Sequence, residues 1–87
     1  MLPTSPSIEE YLDDTGYSAF ADWFGGLDAG AAARVRVALS RLARGATSNV
    51  KGVGAGVLEY RIDTGPGYRV YFARHGERLI LLLGGGT

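Results

Sequence analysis

Apolar and polar residues alternate strictly on either side of one short turn between Gly56 and Phe72. Leu58, Tyr60 and Ile62 occupy one phase, and Val57, Glu59, Arg61 and Asp63 the other. After Thr64-Gly65-Pro66-Gly67, the apolar phase resumes at Tyr68, Val70 and Phe72, with Arg69, Tyr71 and Ala73 opposite. A period of two marks strands with one buried face. Pro66 presets its own φ, and the flanking glycines accept values that other residues resist. The pattern therefore predicts a hairpin. With its turn centred on Gly65, Arg61 faces Arg69 and Glu59 faces Tyr71. Two arginines directly opposite on one face repel, so sheet stability does not select them. An anion between them removes that cost.

The remaining elements follow in chain order. Residues 1–7 read as a loose lead-in. Ile8 to Leu12 reads as an edge strand, with a helical turn as the rival, and Asp13-Asp14-Thr15-Gly16 as a turn. Ser18 is placed to cap a helix in which Phe20, Trp23, Phe24 and Leu27 recur at i, i+3, i+4 and i+7. That aromatic stripe suits core packing better than a ligand box. Gly25-Gly26 ends the helix. Asp28 caps a second helix over Ala31 to Arg44, with Ala32, Val35, Leu39 and Leu42 as the buried stripe and Gly45 as the C′ residue. Arg34, Arg41 and Arg44 share another face with Val37. The helix dipole favours cations in its last turn, so a solvated face and a phosphate contact both remain open for these arginines. Residues 45–56 read as a glycine-rich loop. A nucleotide-binding loop is excluded there, because no Lys-Ser/Thr pair and no helix follow Gly52, Gly54 and Gly56. After a turn at Arg74-His75-Gly76-Glu77, the unbroken apolar run Leu79 to Leu83 predicts a strand covered on both faces, followed by an abrupt glycine-rich end.

The chain has 87 residues, 46% of them hydrophobic, enough for one domain with a modest core. With no cysteine, neither disulfides nor thiolate zinc sites can staple it, and a reducing, cytoplasmic setting is expected. No apolar run approaches the roughly 20 residues of a membrane span, and the first residues lack the basic and apolar regions of a signal peptide. The formal net charge is zero, but residues 1–28 carry six acids and no Lys or Arg, whereas residues 29–87 carry all nine cations and three acids. Eight of the nine cations are arginine, suited to bidentate contact with phosphate. The asymmetry points to a polyanionic partner, with a solvated surface as the alternative.

Several runs taken together resemble the RelE/HigB/ParE superfamily of toxins, and within it the HigB-like branch of addiction-module killer proteins. They are Trp23 and Leu27, the "R…LxRLxxG" run from Arg34 to Gly45, "VKxVGxGVxExRI" from Val50 to Ile62, and "GPGYRVYF" from Gly65 to Phe72. The resemblance covers roughly residues 8–86. It implies an α+β fold in which an N-terminal strand and two helices pack on an antiparallel sheet. It also implies a toxin of a type II toxin–antitoxin module, held by a cognate antitoxin of helix-turn-helix type and needing no small-molecule cofactor. Many members cleave mRNA on the ribosome, and the ParE branch poisons DNA gyrase. Two departures stand out. Ala46-Thr47-Ser48-Asn49 replaces the family's usual Asn-Phe-Gly-Asp. Members also continue past the glycines with a Lys, a Gln and a C-terminal helix. That helix is expected to be missing here, leaving a form that folds but is a weak nuclease, or a disarmed remnant that only binds its antitoxin.

Metal-independent RNA cleavage needs a base for the 2′-hydroxyl, cations for the crowded phosphorane and an acid for the leaving oxygen. By the resemblance, Arg69 matches the phosphate-stabilising arginine and Arg61 a basic position on the neighbouring strand. Tyr71, two residues on, can stack or position a base. Arg61, Arg69 and Tyr71 are thus the catalytic candidates. Lys51, Arg41, Arg44, Arg74 and His75 are the outer RNA-binding candidates. His75, the single histidine, sits in a turn where an exposed bystander is the preferred reading over an acid–base role. Glu59 is a base or, in the preferred reading, the ion-pair partner of Arg61 or Arg69.

Overall fold

A computed structural model describes residues 6–63 and 65–87. The loose lead-in expected over residues 1–7 lies mostly outside them, as does Thr64 of the hairpin turn. Among the described residues the fold is α+β, with two helices on one face of a five-stranded mixed sheet. Strand β1 (Ser7–Glu10) is followed by α1 (Ala19–Gly25), α2 (Ala29–Ala43), β2 (Val50–Gly54), β3 (Val57–Arg61), β4 (Arg69–His75) and β5 (Leu79–Gly86). Their spatial order is β1-β5-β4-β3-β2. Strands β3 to β5 pair antiparallel as expected, and β2 adds a further antiparallel strand beside β3. β1 instead lies parallel to β5, pairing Ile8 with Ile80 and Glu10 with Leu82, so the sheet is mixed rather than antiparallel. Short hairpins can join only antiparallel neighbours, whereas the long α1–α2 crossover lets β1 take the parallel edge. Among the described residues, no helix is long and apolar enough to cross a membrane.

The helices start and stop where their caps dictate. Ser18 Oγ accepts from the Ala21 amide, and Asp28 Oδ1 accepts from the Ala31 amide. At the end of α2, the Ala46 amide donates to the Arg41 carbonyl and the Gly45 amide to the Leu42 carbonyl, with Gly45 at φ +92°. This is a Schellman closure, which needs a residue tolerant of positive φ. The β1–α1 turn is tied by Asp13, whose carboxylate accepts from Thr15 Oγ1 and from the Thr15 and Tyr17 amides. Those bonds, the Thr15 side chain's first, hold its pKa below the usual carboxylate value.

Phe20, Ala31, Val35, Ala38 and Leu42 from the helices meet Tyr60, Ile62, Tyr68, Val70, Phe72, Ile80 and Leu82 from the sheet side. Leu39, expected in the buried stripe, is only partly buried, and Ala38 takes its place at the centre. The aromatic stripe is core, as expected: Phe20 stacks on Phe24 with centroids 5.7 Å apart, and Trp23 meets Tyr68 edge-on at 6.3 Å.

Three departures concern the glycine-rich segments. The loop expected over residues 45–56 contains β2, which pairs Val50 with Tyr60 and Lys51 with Glu59. Its return to β3 runs through Ala55 and Gly56 at φ +55° and +78°, the two-residue geometry whose twist matches a hairpin. The strand Leu79 to Leu83 is not covered on both faces: Ile80 and Leu82 are buried, whereas Leu79, Leu81 and Leu83 are partly exposed on the side away from the helices. The glycines beyond it continue β5 to Gly86.

A bulge places those glycines. Tyr71 pairs with Gly84 but Phe72 pairs with Leu82, so Leu83 is an extra residue that flips the phase of β5. Gly85 therefore turns to the helix side, where a Cβ would collide with the Trp23 ring, while Gly84 and Gly86 face open space. Gly85→Ala should consequently cost about 1–3 kcal/mol by overpacking against Trp23, and Gly84→Ala should cost much less. Urea titration of the two variants checks this, and equal losses would contradict it.

Candidate functional site

The β3–β4 register pairs Leu58 with Phe72, Glu59 with Tyr71, Tyr60 with Val70 and Arg61 with Arg69. The hairpin is closed by the Ile62 amide donating to the Tyr68 carbonyl, around Gly65 and Gly67 at φ +66° and +83°. Tyr60, Ile62, Tyr68 and Val70 are buried under the helices. Strand alternation then sends Arg61, Arg69 and Tyr71 to the open face, as expected. Lys51, opposite Glu59 on β2, joins them.

Glu59 has more to do than its phase suggested. The residue is only 7% exposed, and its Oε1 lies 3.7 Å from Lys51 Nζ and 3.8 Å from Arg69 Nε. Of the two pairings anticipated for it, Arg69 is the one formed. Arg61 instead has Nε 3.6 Å from Asp63 Oδ1. Each of the opposed arginines thus has a carboxylate of the chain within 4 Å, which reduces their repulsion. Beyond Tyr71 and Arg69 on the same face, the paired residues of β5 are Gly84 and Gly86, which leave bare backbone beside the cations.

Two clefts adjoin this row. One of about 240 Å³ is lined by Ser48, Asn49, Lys51, Glu59, Arg61 and Asp63. The other, of about 420 Å³, lies between α2 and the end of β3 and is lined by Arg34, Val37, Arg41, Asn49, Tyr60, Arg61 and Asp63 among others. Lys51 and Arg41 are thereby brought to the same region as Arg61. Arg44 is exposed just after α2, where its Nη2 donates to Ser40 Oγ, and it lines neither cleft. Arg74 and His75 are not brought in. They are exposed at the far end of β4, opposite Ile80 and Leu79. Six residues of strand separate His75 from Arg69, about 20 Å. Asn49 and the burial of Glu59 escaped the sequence reading. The opposite-charge pairing of Lys51 and Glu59 was the available signal, hidden by Gly52 and Gly54. Among the described residues, no three His, Cys, Asp or Glu side chains converge into a metal-ligand set.

No protein-family model matches the chain. It is similar to an uncharacterized protein of Haemophilus influenzae, 41% identical over 56 residues, which is 64% of this chain and 57% of that protein. The chain thus matches little more than half of that relative's length. No solved structure matches.

The geometry makes Glu59 the organiser of the row. Glu59→Gln should cost up to about 1 kcal/mol by releasing Lys51 and Arg69 and exposing the repulsion between Arg69 and Arg61. The loss should shrink as salt rises from 0.05 to about 1 M, because screening weakens like-charge repulsion. Thermal melts across that series check it, and a salt-independent loss would contradict it.

Proposed function

We propose that this chain is a RelE/HigB-like toxin whose open sheet face binds RNA and cleaves it. The observation that carries the reading is the direct pairing of Arg61 with Arg69 beside Tyr71 and a shielded Glu59. Opposed cations on one face are costly to a sheet and useful to a phosphodiester. The motif resemblance adds the toxin class, and the abundance of arginine on the basic half of the chain fits an RNA partner.

In this reading the scissile phosphate sits between Arg61 and Arg69 and displaces Asp63 and Glu59 from them. The guanidiniums then stabilise the charge that builds on the non-bridging oxygens. Glu59, freed from Arg69, accepts the proton of the 2′-hydroxyl. The 2′-oxygen attacks phosphorus, the bond to the 5′-oxygen breaks, and that oxygen takes a proton from solvent. The products are a 2′,3′-cyclic phosphate and a 5′-hydroxyl. Tyr71 stacks on a neighbouring base, and the bare backbone at Gly84 and Gly86 lets the strand approach. Ribosomes carrying a defined mRNA, incubated with the protein and mapped for new 5′ ends, test this. Cleavage should fall about 100-fold or more in Arg69→Ala and in Arg61→Ala. Absence of both cleavage and growth arrest with the unaltered protein would overturn the reading.

A second reading, a toxin that acts or is held by protein binding alone, draws on a different observation. Leu79, Leu81 and Leu83 are partly exposed on the same open face as Arg69. A partner chain with apolar and acidic residues fits that surface, as an antitoxin would. Co-expression with a neighbouring helix-turn-helix gene should give a complex in which the methyl resonances of these leucines shift. Separate elution of the two proteins at micromolar concentration would count against it.

A further inference from the structure

The larger cleft shares Arg61 and Asp63 with the cleavage geometry just described and extends beyond it along α2. It is lined by the buried apolar residues Ala38, Tyr60 and Ile62, by the exposed Val37, and by Arg34, Arg41 and Arg61 against the single carboxylate Asp63. That carboxylate is already engaged, 3.6 Å from Arg61 Nε. Arg34 reaches the hairpin turn, where its Nη1 lies 3.2 Å from the position a Cβ would take on Gly65. Val37 is 51% exposed at the helix surface and lines the cleft with Arg34 and Arg41. Guanidiniums beside apolar side chains match a nucleotide, with phosphate on the former and base on the latter.

Arg61, Asn49 and Asp63 line both this cleft and the smaller one beside Lys51 and Glu59. A single strand lying on the open face can therefore turn around the end of β3 without leaving cationic surface. Arg34 and Arg41 are seven residues apart on α2, about 10.5 Å along its axis, a reach of more than one nucleotide. We infer that the α2–β3 cleft is a second RNA subsite, which grips nucleotides flanking the scissile phosphate and feeds them to the Arg61–Arg69 pair. The inference rests on reading the open face as an RNA site. Continuity between the two clefts favours a polyanionic strand over an acidic peptide, for which one isolated cleft would suffice.

The test compares a trinucleotide with a 12-nucleotide single-stranded RNA by fluorescence anisotropy, using the whole chain and an Arg34→Gln, Arg41→Gln variant. Both positions are exposed on α2, and glutamine keeps the helix propensity. The 12-mer should bind the variant at least tenfold more weakly, a larger loss than for the trinucleotide. The slope of log affinity against log salt should become shallower by about 1.4, since each phosphate contact to a single strand contributes about 0.7. A 4-thiouridine 12-mer crosslinked to the unaltered protein should label the α2 peptide containing Arg34 and Arg41, a readout that needs no variant. Undiminished 12-mer binding by this variant, with binding lost in Arg61→Ala, Arg69→Ala, would overturn the subsite and leave the open-face reading standing. If the unaltered protein binds neither RNA, while an acidic apolar peptide protects Val37 and Arg41 from exchange, both readings fall and the cleft is a peptide groove.

Discussion

The pairing of β4 against β3 decides both what is buried and what is presented. One residue of slip would send Tyr68, Val70 and Phe72 to solvent and bring Arg69 and Tyr71 under the helices. Burying three large apolar side chains contributes several kcal/mol, and an arginine forced into their place would be a desolvated charge. The core thus enforces the register, and the register enforces Arg61 opposite Arg69. The opposition of the two cations is a consequence the fold must tolerate. It does so with Glu59 and Asp63, each within 4 Å of one of them.

The two faces of the sheet are built to different rules. The helix face is packed to contact, to the point that Trp23 leaves no room for a Cβ at Gly85. The open face carries ion pairs, half-exposed leucines and two glycines without side chains beside the arginines. The Leu83 bulge links the faces, because the phase change that puts Gly85 beneath Trp23 also puts Gly84 and Gly86 beside Tyr71 and Arg69.

Much of this was legible in the sequence, for identifiable reasons. Strict alternation around a Gly-Pro-Gly turn leaves one sensible register, and Ser18, Asp28 and Gly45 cap helices by local bonds that any tertiary context preserves. β2 was hidden because Gly52 and Gly54 lower strand propensity, and its strand state comes from the partner β3 rather than from itself. The parallel placement of β1 depends on where the chain returns after α2, which no local pattern records. The phase flip of β5 depends on one bulged residue in an all-apolar run, where alternation gives no signal. Within the site, Arg61, Arg69, Tyr71 and Lys51 followed from alternation. The shielding of Glu59 did not, since it arises from the cations packed around it. Nor did the cleft joining Arg34 and Arg41 to Arg61, which exists only once α2 is laid across the end of β3.

The central claim is that the opposed arginines form one anion site. A double-mutant cycle over Arg61→Gln and Arg69→Gln, measured for stability in the free protein and in the presence of a short oligoribonucleotide, tests it most directly. The account predicts unfavourable coupling between the two arginines in the free protein, reversing to favourable coupling once a phosphate lies between them. Coupling that is unchanged by the oligonucleotide would show that the two arginines do not share a ligand, and would contradict the account.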